Sequence, residues 1–180
     1  MKKLILLLTQ IDALDKELQE FERLENKTRA DILLAAKSDI PLNVAQQKIR
    51  DARLTLDLVD AKRAKLLEPH IEAKNQLATL LRHFAEAWNS ALQKACQEIE
   101  LTVLQKNLEF FEGDERACQR WWEQGNMVQM PIFYKYRQAF YPTDSLRAQI
   151  GRDLIGTAKH FLRHVARLSR EMGIKPSDLE

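Results

Sequence analysis

The sequence predicts an all-α protein: an elongated antiparallel helical hairpin or coiled-coil bundle with a smaller helical lobe toward its C-terminus. Three observations carry that expectation. Between Pro69 and Gly113 there is no Pro or Gly, and Leu77, Leu81, Phe84, Trp88, Ala91, Ala95, Ile99 and Val103 recur at steps of three and four, the spacing of an amphipathic helix. Near the N-terminus Leu4, Leu7, Ile11, Leu14, Leu18 and Phe21 alternate in the same way, which is a heptad seam. The chain has only five Gly and five Pro in 180 residues, while 30% of its residues are charged. That balance suits solvated helices and not a turn-rich β protein.

In chain order, the first helix is expected over residues 4–36. Beyond Leu24 its regular seam gives way to a looser stripe of Ile32, Ala35 and Ala36. Asp12 with Lys16 and Glu25 with Arg29 form favourable pairs four residues apart on the wet side,. The run Ser38-Asp39-Ile40-Pro41-Leu42-Asn43 breaks the helix, because Pro41 cannot continue it and pushes Ile40 to an extended conformation. Asn43 with Gln46 resembles a capping box,. A second helix, Val44 to about Leu67, places Ala45, Ile49, Ala52, Leu56, Val59 and Leu66 on one seam, interrupted by Arg63. The short connection favours an antiparallel hairpin.

Pro69 admits two readings. As a turn it starts a third helix, favoured by the welcome proline finds in a first turn, and residues 1–113 become an up-down-up bundle. As a kink it joins the second and third segments into one long bent rod. The turn is the expectation adopted here. At 1.5 Å per residue the third helix alone spans roughly 60 Å. Its end carries Leu101, Val103, Leu104, Leu108, Phe110 and Phe111 on more than one face, so other parts of the chain are expected to cover it.

Gly113 suits a helix C-cap and Asp114 the start of the next element,. Residues 114–180 then form an aromatic-rich helical lobe packed on one end of the bundle. Within it a short helix from Glu115 to Gln124 precedes Gly125-Asn126. Nine of the 13 aromatic residues lie between Phe110 and Tyr141, which places the densest packing there. Phe133 to Tyr136 is read as loop or short helix, a strand being the alternative. A last helix, capped by Thr143 or Asp144, runs to about Met172 with Leu154, Ala158, Phe161, Val165, Leu168 and Met172 on one stripe, and Gly173 and Pro176 end it.

Compartment and charge add little bias. The apolar run Leu4-Ile5-Leu6-Leu7-Leu8 is followed directly by Thr9, Gln10 and Asp12, too short for a spanning helix and without a cleavage site. A non-exported, cytoplasmic protein with no membrane partner is expected. Cys96 and Cys118 stand outside any CxxC pattern and read as buried thiols in a reducing compartment. Net charge is +2, so no global field points to a partner.

Locally the charge is uneven. Residues 1–113 hold 17 basic and 18 acidic side chains, whereas Lys135 to Arg170 holds eight basic against two acidic. Lys135, Arg137, Arg152, Lys159, Arg163, Arg167 and Arg170 are therefore candidates for contact with nucleic-acid phosphates. The plainer reading is a solvated helix face. Trp121, Trp122, Tyr134, Tyr136 and Tyr141 among Arg120, Lys135 and Arg137 offer possible base-stacking surfaces, with core packing the stronger reading.

Catalytic and metal-binding patterns are weak. His160 and His164 sit one turn apart, with Asp153 two turns before His160, a separation of about 10 Å along the axis that is poor for one metal. There is no HExxH, no paired Glu-x-x-His, no Gly-rich phosphate loop and no GxSxG,. The expectation is a non-enzymatic interaction or adaptor protein without cofactor or metal. Largely single seams leave apolar edges, so a second copy or a partner helix is expected to complete the bundle through Leu4, Leu7, Ile11, Leu14, Leu18, Phe21, Ile49, Leu56 and Val59, most simply as a homodimer. The alternative is a nucleic-acid-binding accessory protein using the basic face of the last helix.

Overall fold

The computed structural model describes residues 1–123, 138–172 and 174. All regular structure among them is helical: α1 Lys2–Lys37, α2 Leu42–Phe110, α3 Glu115–Glu123, α4 Leu146–Arg152 and α5 Leu154–Met172. The possible strand at Phe133 to Tyr136, and the stacking candidates Tyr134, Lys135, Tyr136 and Arg137, lie outside the described residues. No helix among the described residues is long and apolar enough to cross a membrane. The chain divides into two compact units, one of residues 2–77 and the other of residues 78–180 with Met1.

Pro69 is not a turn. It lies inside α2, which runs unbroken for 69 residues, so the expected third helix is the continuation of the second and no up-down-up bundle forms. A helix-interior proline removes the hydrogen bond to the carbonyl four residues earlier. Here that carbonyl belongs to Lys65, and both Lys65 and Pro69 are exposed. Exposure of both residues limits the cost of the missing bond, because solvent can reach that side of the helix,.

In the unit of residues 2–77, α1 and the first part of α2 make an antiparallel hairpin. Glu25 pairs with Arg63 and Asp15 with His70, so one index falls as the other rises. The bend is at Ser38–Pro41, and Pro41 starts α2 by accepting hydrogen bonds at its carbonyl from the N–H groups of Val44 and Ala45 at 2.9 and 3.0 Å. Asn43 is therefore inside the first turn and not the cap that its spacing from Gln46 predicts. Buried positions on α1 are Leu4, Leu7, Leu8, Ile11, Thr28 and Ala35. On α2 they are Val59, His70, Ala73 and Leu77. Fully burying one such aliphatic side chain contributes about 1.5–3 kcal/mol. The buried Thr28 hydroxyl donates to the Leu24 carbonyl at 2.8 Å, which satisfies it within its own helix.

In the second unit the later part of α2 supplies Leu81, Phe84, Ala85, Trp88 and Leu92 to a core completed by Ala139, Tyr141, Leu146, Ala158, Phe161, Val165 and Leu168. Tyr141 meets Phe161 edge-on, with centroids 4.9 Å apart and planes at 84°, a favoured aromatic geometry. The far end of α2 departs from expectation. Phe110 is 80% exposed and Leu101 is also open to solvent. Glu112, and not Gly113, takes the first left-handed position past α2, at φ +50° with its N–H on the Glu109 carbonyl at 3.2 Å. Gly113 follows at φ +86° with its N–H on the Leu108 carbonyl at 2.8 Å,. Asp114 starts α3 by accepting from the N–H groups of Arg116 and Ala117 at 3.0 and 3.1 Å.

The expected single last helix is two. Asp153 separates α4 from α5 at an extended φ of −152°. Its carboxylate accepts from the Gly156 N–H at 2.8 Å, the bond of an N-cap. A Cβ on Gly156 would run into that carboxylate, so the Asp153 side chain as it is placed would have to shift to admit one. Ser145, and not Thr143 or Asp144, precedes α4, and it makes no side-chain cap bond.

Candidate functional site

Three groupings of side chains stand out. The first is a polar clasp in the unit of residues 78–180. Ala139 to Tyr141 run between α2 and α5 and are held from both. Trp88 Nε1–H and His164 Nε2–H both donate to the Ala139 carbonyl, at 3.0 and 2.8 Å. Asn89 donates from Nδ2 to the Tyr141 carbonyl at 2.9 Å and accepts the Tyr141 N–H at Oδ1 at 2.8 Å. The Tyr141 hydroxyl lies 3.3 Å from His160 Nδ1. Burial pushes the Tyr141 hydroxyl's pKa up. Burial likewise pulls the His164 imidazole's pKa below its ordinary value; Arg167 and His160 add to that, and the Ala139 bond opposes it.

This clasp engages one ring nitrogen of each histidine. His164 is spent on a backbone carbonyl and His160 on Tyr141, while Asp153 caps α5. No group of three or more potential metal-ligating side chains converges among the described residues.

The second grouping is the basic face of α5. Thr157, Ala158, Phe161, Val165 and Leu168 are buried, and this fixes the helix's rotation. Lys159, Arg163, Arg167 and Arg170 are consequently exposed. Arg163, Arg167 and Arg170 line one shallow surface with Ala166 and Glu171. Arg163 Nε donates to the Lys159 carbonyl at 3.3 Å, leaving the rest of its guanidinium outward. Arg152, also exposed, ends α4 and so belongs to a different helix. Lys135 and Arg137 lie outside the described residues.

The third grouping is on the hairpin, and seam spacing alone did not find it. Of the residues expected to form a partner interface, Leu4, Leu7, Ile11 and Val59 are buried in the chain itself. Leu14, Leu18, Phe21, Ile49 and Leu56 are half-buried. The seam is thus largely occupied by the chain's own packing. Beside it runs a groove lined from α1 by Asp31, Leu34 and Ala35 and from α2 by Lys48, Asp51 and Ala52. Leu24 is one heptad before Asp31; Val44 and Leu58 are one heptad either side of Asp51. All three therefore share the groove's flank. Leu24, Leu34, Val44 and Leu58 are all exposed.

Compared with models of known protein families, with curated proteins and with solved structures, the chain matches none. Its class rests on its own architecture: an all-α protein whose helical hairpin carries an open apolar flank.

Proposed function

We propose that this chain is a non-enzymatic helical interaction protein that self-associates, two hairpins packing flank to flank through the groove between α1 and α2. The observation that carries the reading is the alignment of Leu24, Leu34, Val44 and Leu58, exposed by 41, 67, 40 and 57%, along one side of a two-helix unit. Large aliphatic side chains gathered on one flank mark an association surface more than scattered ones do. A two-helix layer has no third element of its own in residues 2–77 to cover them.

A second copy is favoured over an unrelated partner by the charges at the groove. Asp31 and Asp51 sit beside Lys48 on the same flank. A two-fold interface must be complementary to itself, and a patch holding both signs meets that condition, Lys48 of each copy facing carboxylates of the other. Clusters of one sign would repel their own copy.

Analytical ultracentrifugation of the intact chain tests the reading. The expected result is a dimer at micromolar concentration. Leu34→Glu combined with Leu58→Glu is expected to give a monomer of unchanged helicity. A wild-type chain that stays monomeric at that concentration overturns it.

A further inference from the structure

We infer that the outer face of α5 binds the phosphate backbone of nucleic acid, through Lys159, Arg163, Arg167 and Arg170. This is independent of self-association, since it uses a different unit of the chain.

The steps between these residues are four, four and three, so they follow one side of the helix,. From Lys159 to Arg170 the row covers roughly 16 Å of helix axis. Each strand of a duplex presents a phosphate about every 3.4 Å along its axis, so three or four of the cations can each meet one. Arginine's planar fork suits phosphate oxygens better than a point charge does.

The acids nearby are outnumbered by the row, Asp153 and Glu171 standing near four cations. Asp153 is engaged with the Gly156 N–H. Glu171 shares the surface with Arg163, Arg167 and Arg170 and is one negative charge beside four positive ones. His160 and His164 are turned to Tyr141 and Ala139.

Two features separate nucleic acid from the other large polyanion, an anionic membrane. An interfacial helix inserts an apolar face into lipid. The apolar face of α5 is already in the core, and none of the exposed large hydrophobic residues among those described falls in α5. Sequence preference is expected to be slight, because phosphate contacts fix position on the duplex and carry no base information.

The test uses the intact protein with a fluorescent duplex and single strand of unrelated sequences, read by anisotropy. Affinity for the duplex is expected to fall about 40- to 150-fold between about 50 and about 200 mM salt, the dependence for three to four neutralised phosphates. Arg163→Glu with Arg167→Glu is expected to abolish binding at the lower salt while helicity and Tm stay unchanged. Arg163→Gln with Arg167→Gln, a milder pair, is expected to lower the salt slope by about two. Three results overturn the inference: no binding at low salt, binding that survives both variants, or binding to phosphatidylserine-containing vesicles and not to either oligonucleotide.

Discussion

His70 Nε2 donates to Asp15 Oδ1 at 2.7 Å, fastening α2 to α1 one residue after the proline that α2 absorbs. His70 is buried and Asp15 about a third exposed. A buried donor left without its acceptor costs about 1–3 kcal/mol, whereas replacing both partners with apolar groups is close to neutral. Asp15→Ala is therefore expected to lower stability by about 1–2 kcal/mol, the lower part of that range because water reaches Asp15. Asp15→Leu with His70→Leu is expected to recover most of it. Urea denaturation of the three proteins measures both effects, and equal stability of the single variant and wild type contradicts the first.

Pro69 makes the opposite prediction. An interior proline costs a helix about 3 kcal/mol relative to alanine. Lys65 and Pro69 are both exposed, so part of that cost is already relieved. Pro69→Ala is expected to stabilise the chain by about 1–2 kcal/mol and to leave its helicity equal or higher, as read by circular dichroism during thermal unfolding. A loss of stability would mean that the proline itself positions His70.

The clasp at Ala139 to Tyr141 depends on Asn89 more than its half-burial implies. Asn89 supplies one donor and one acceptor to the Tyr141 backbone. Asn89→Ala is expected to cost about 1–3 kcal/mol, since it strands backbone groups of a buried residue. Asn89→Asp keeps the acceptor but loses the donor, and is expected to fall between the two. Chemical denaturation orders the three.

His164 sets a pH dependence whose sign follows from its environment. Its folded pKa is lowered, first by burial and then by Arg167 and His160, so protons bind the unfolded chain more readily than the folded one. The stability it contributes is fully present above the ordinary histidine pKa of about 6.5 and is lost as pH falls below that through the folded value. His164→Gln, which keeps a donor for the Ala139 carbonyl, is expected to flatten the decline of Tm between about pH 7 and about pH 5. An undiminished decline in the variant removes His164 as its source.

Gly156 and Asp153 are coupled by space. In most helix interiors Gly→Ala gains about 0.5–1 kcal/mol. At Gly156 the new Cβ meets the Asp153 carboxylate, so Gly156→Ala is expected to destabilise. In the Asp153→Ala background the same change is expected to regain its usual benefit, because the cap it disrupts is already gone. A double-mutant cycle by thermal unfolding reads the coupling.

Much of the architecture was legible in the letters. Steps of three and four from Leu4 to Phe21 and from Leu77 to Trp88 reported helices, and the Ser38–Asn43 break reported the bend, because burial against a partner helix imposes that period on sequence. Asp114 was legible for a similar reason, an N-cap being a local requirement; Gly113 marked the left-handed helix end to within one residue, Glu112 taking its first position. The cation row of α5 was legible too, since charges that are kept off the core face fall together by the same period.

What the letters left open involves residues far apart or energies in balance. Pro69 is compatible with a turn and with a helix interior, and the choice depends on how exposed the helix is around Lys65 and Pro69. Asp153 breaks the last helix, and its carboxylate reaches forward to cap the Gly156 N–H, a contact that competes with a continuous helix. The clasp joins Trp88 and Asn89 to a segment some fifty residues on, and no spacing rule reaches that far. Sequence alone decided that this chain is helical, where its first hairpin bends and which face of α5 stays wet, because those follow from period, steric exclusion and solvation of each segment by itself. Tertiary structure alone decided that α2 is one helix and that Leu34 and Leu58 share an open flank beside a seam already filled, because each depends on which surfaces two helices spend on each other.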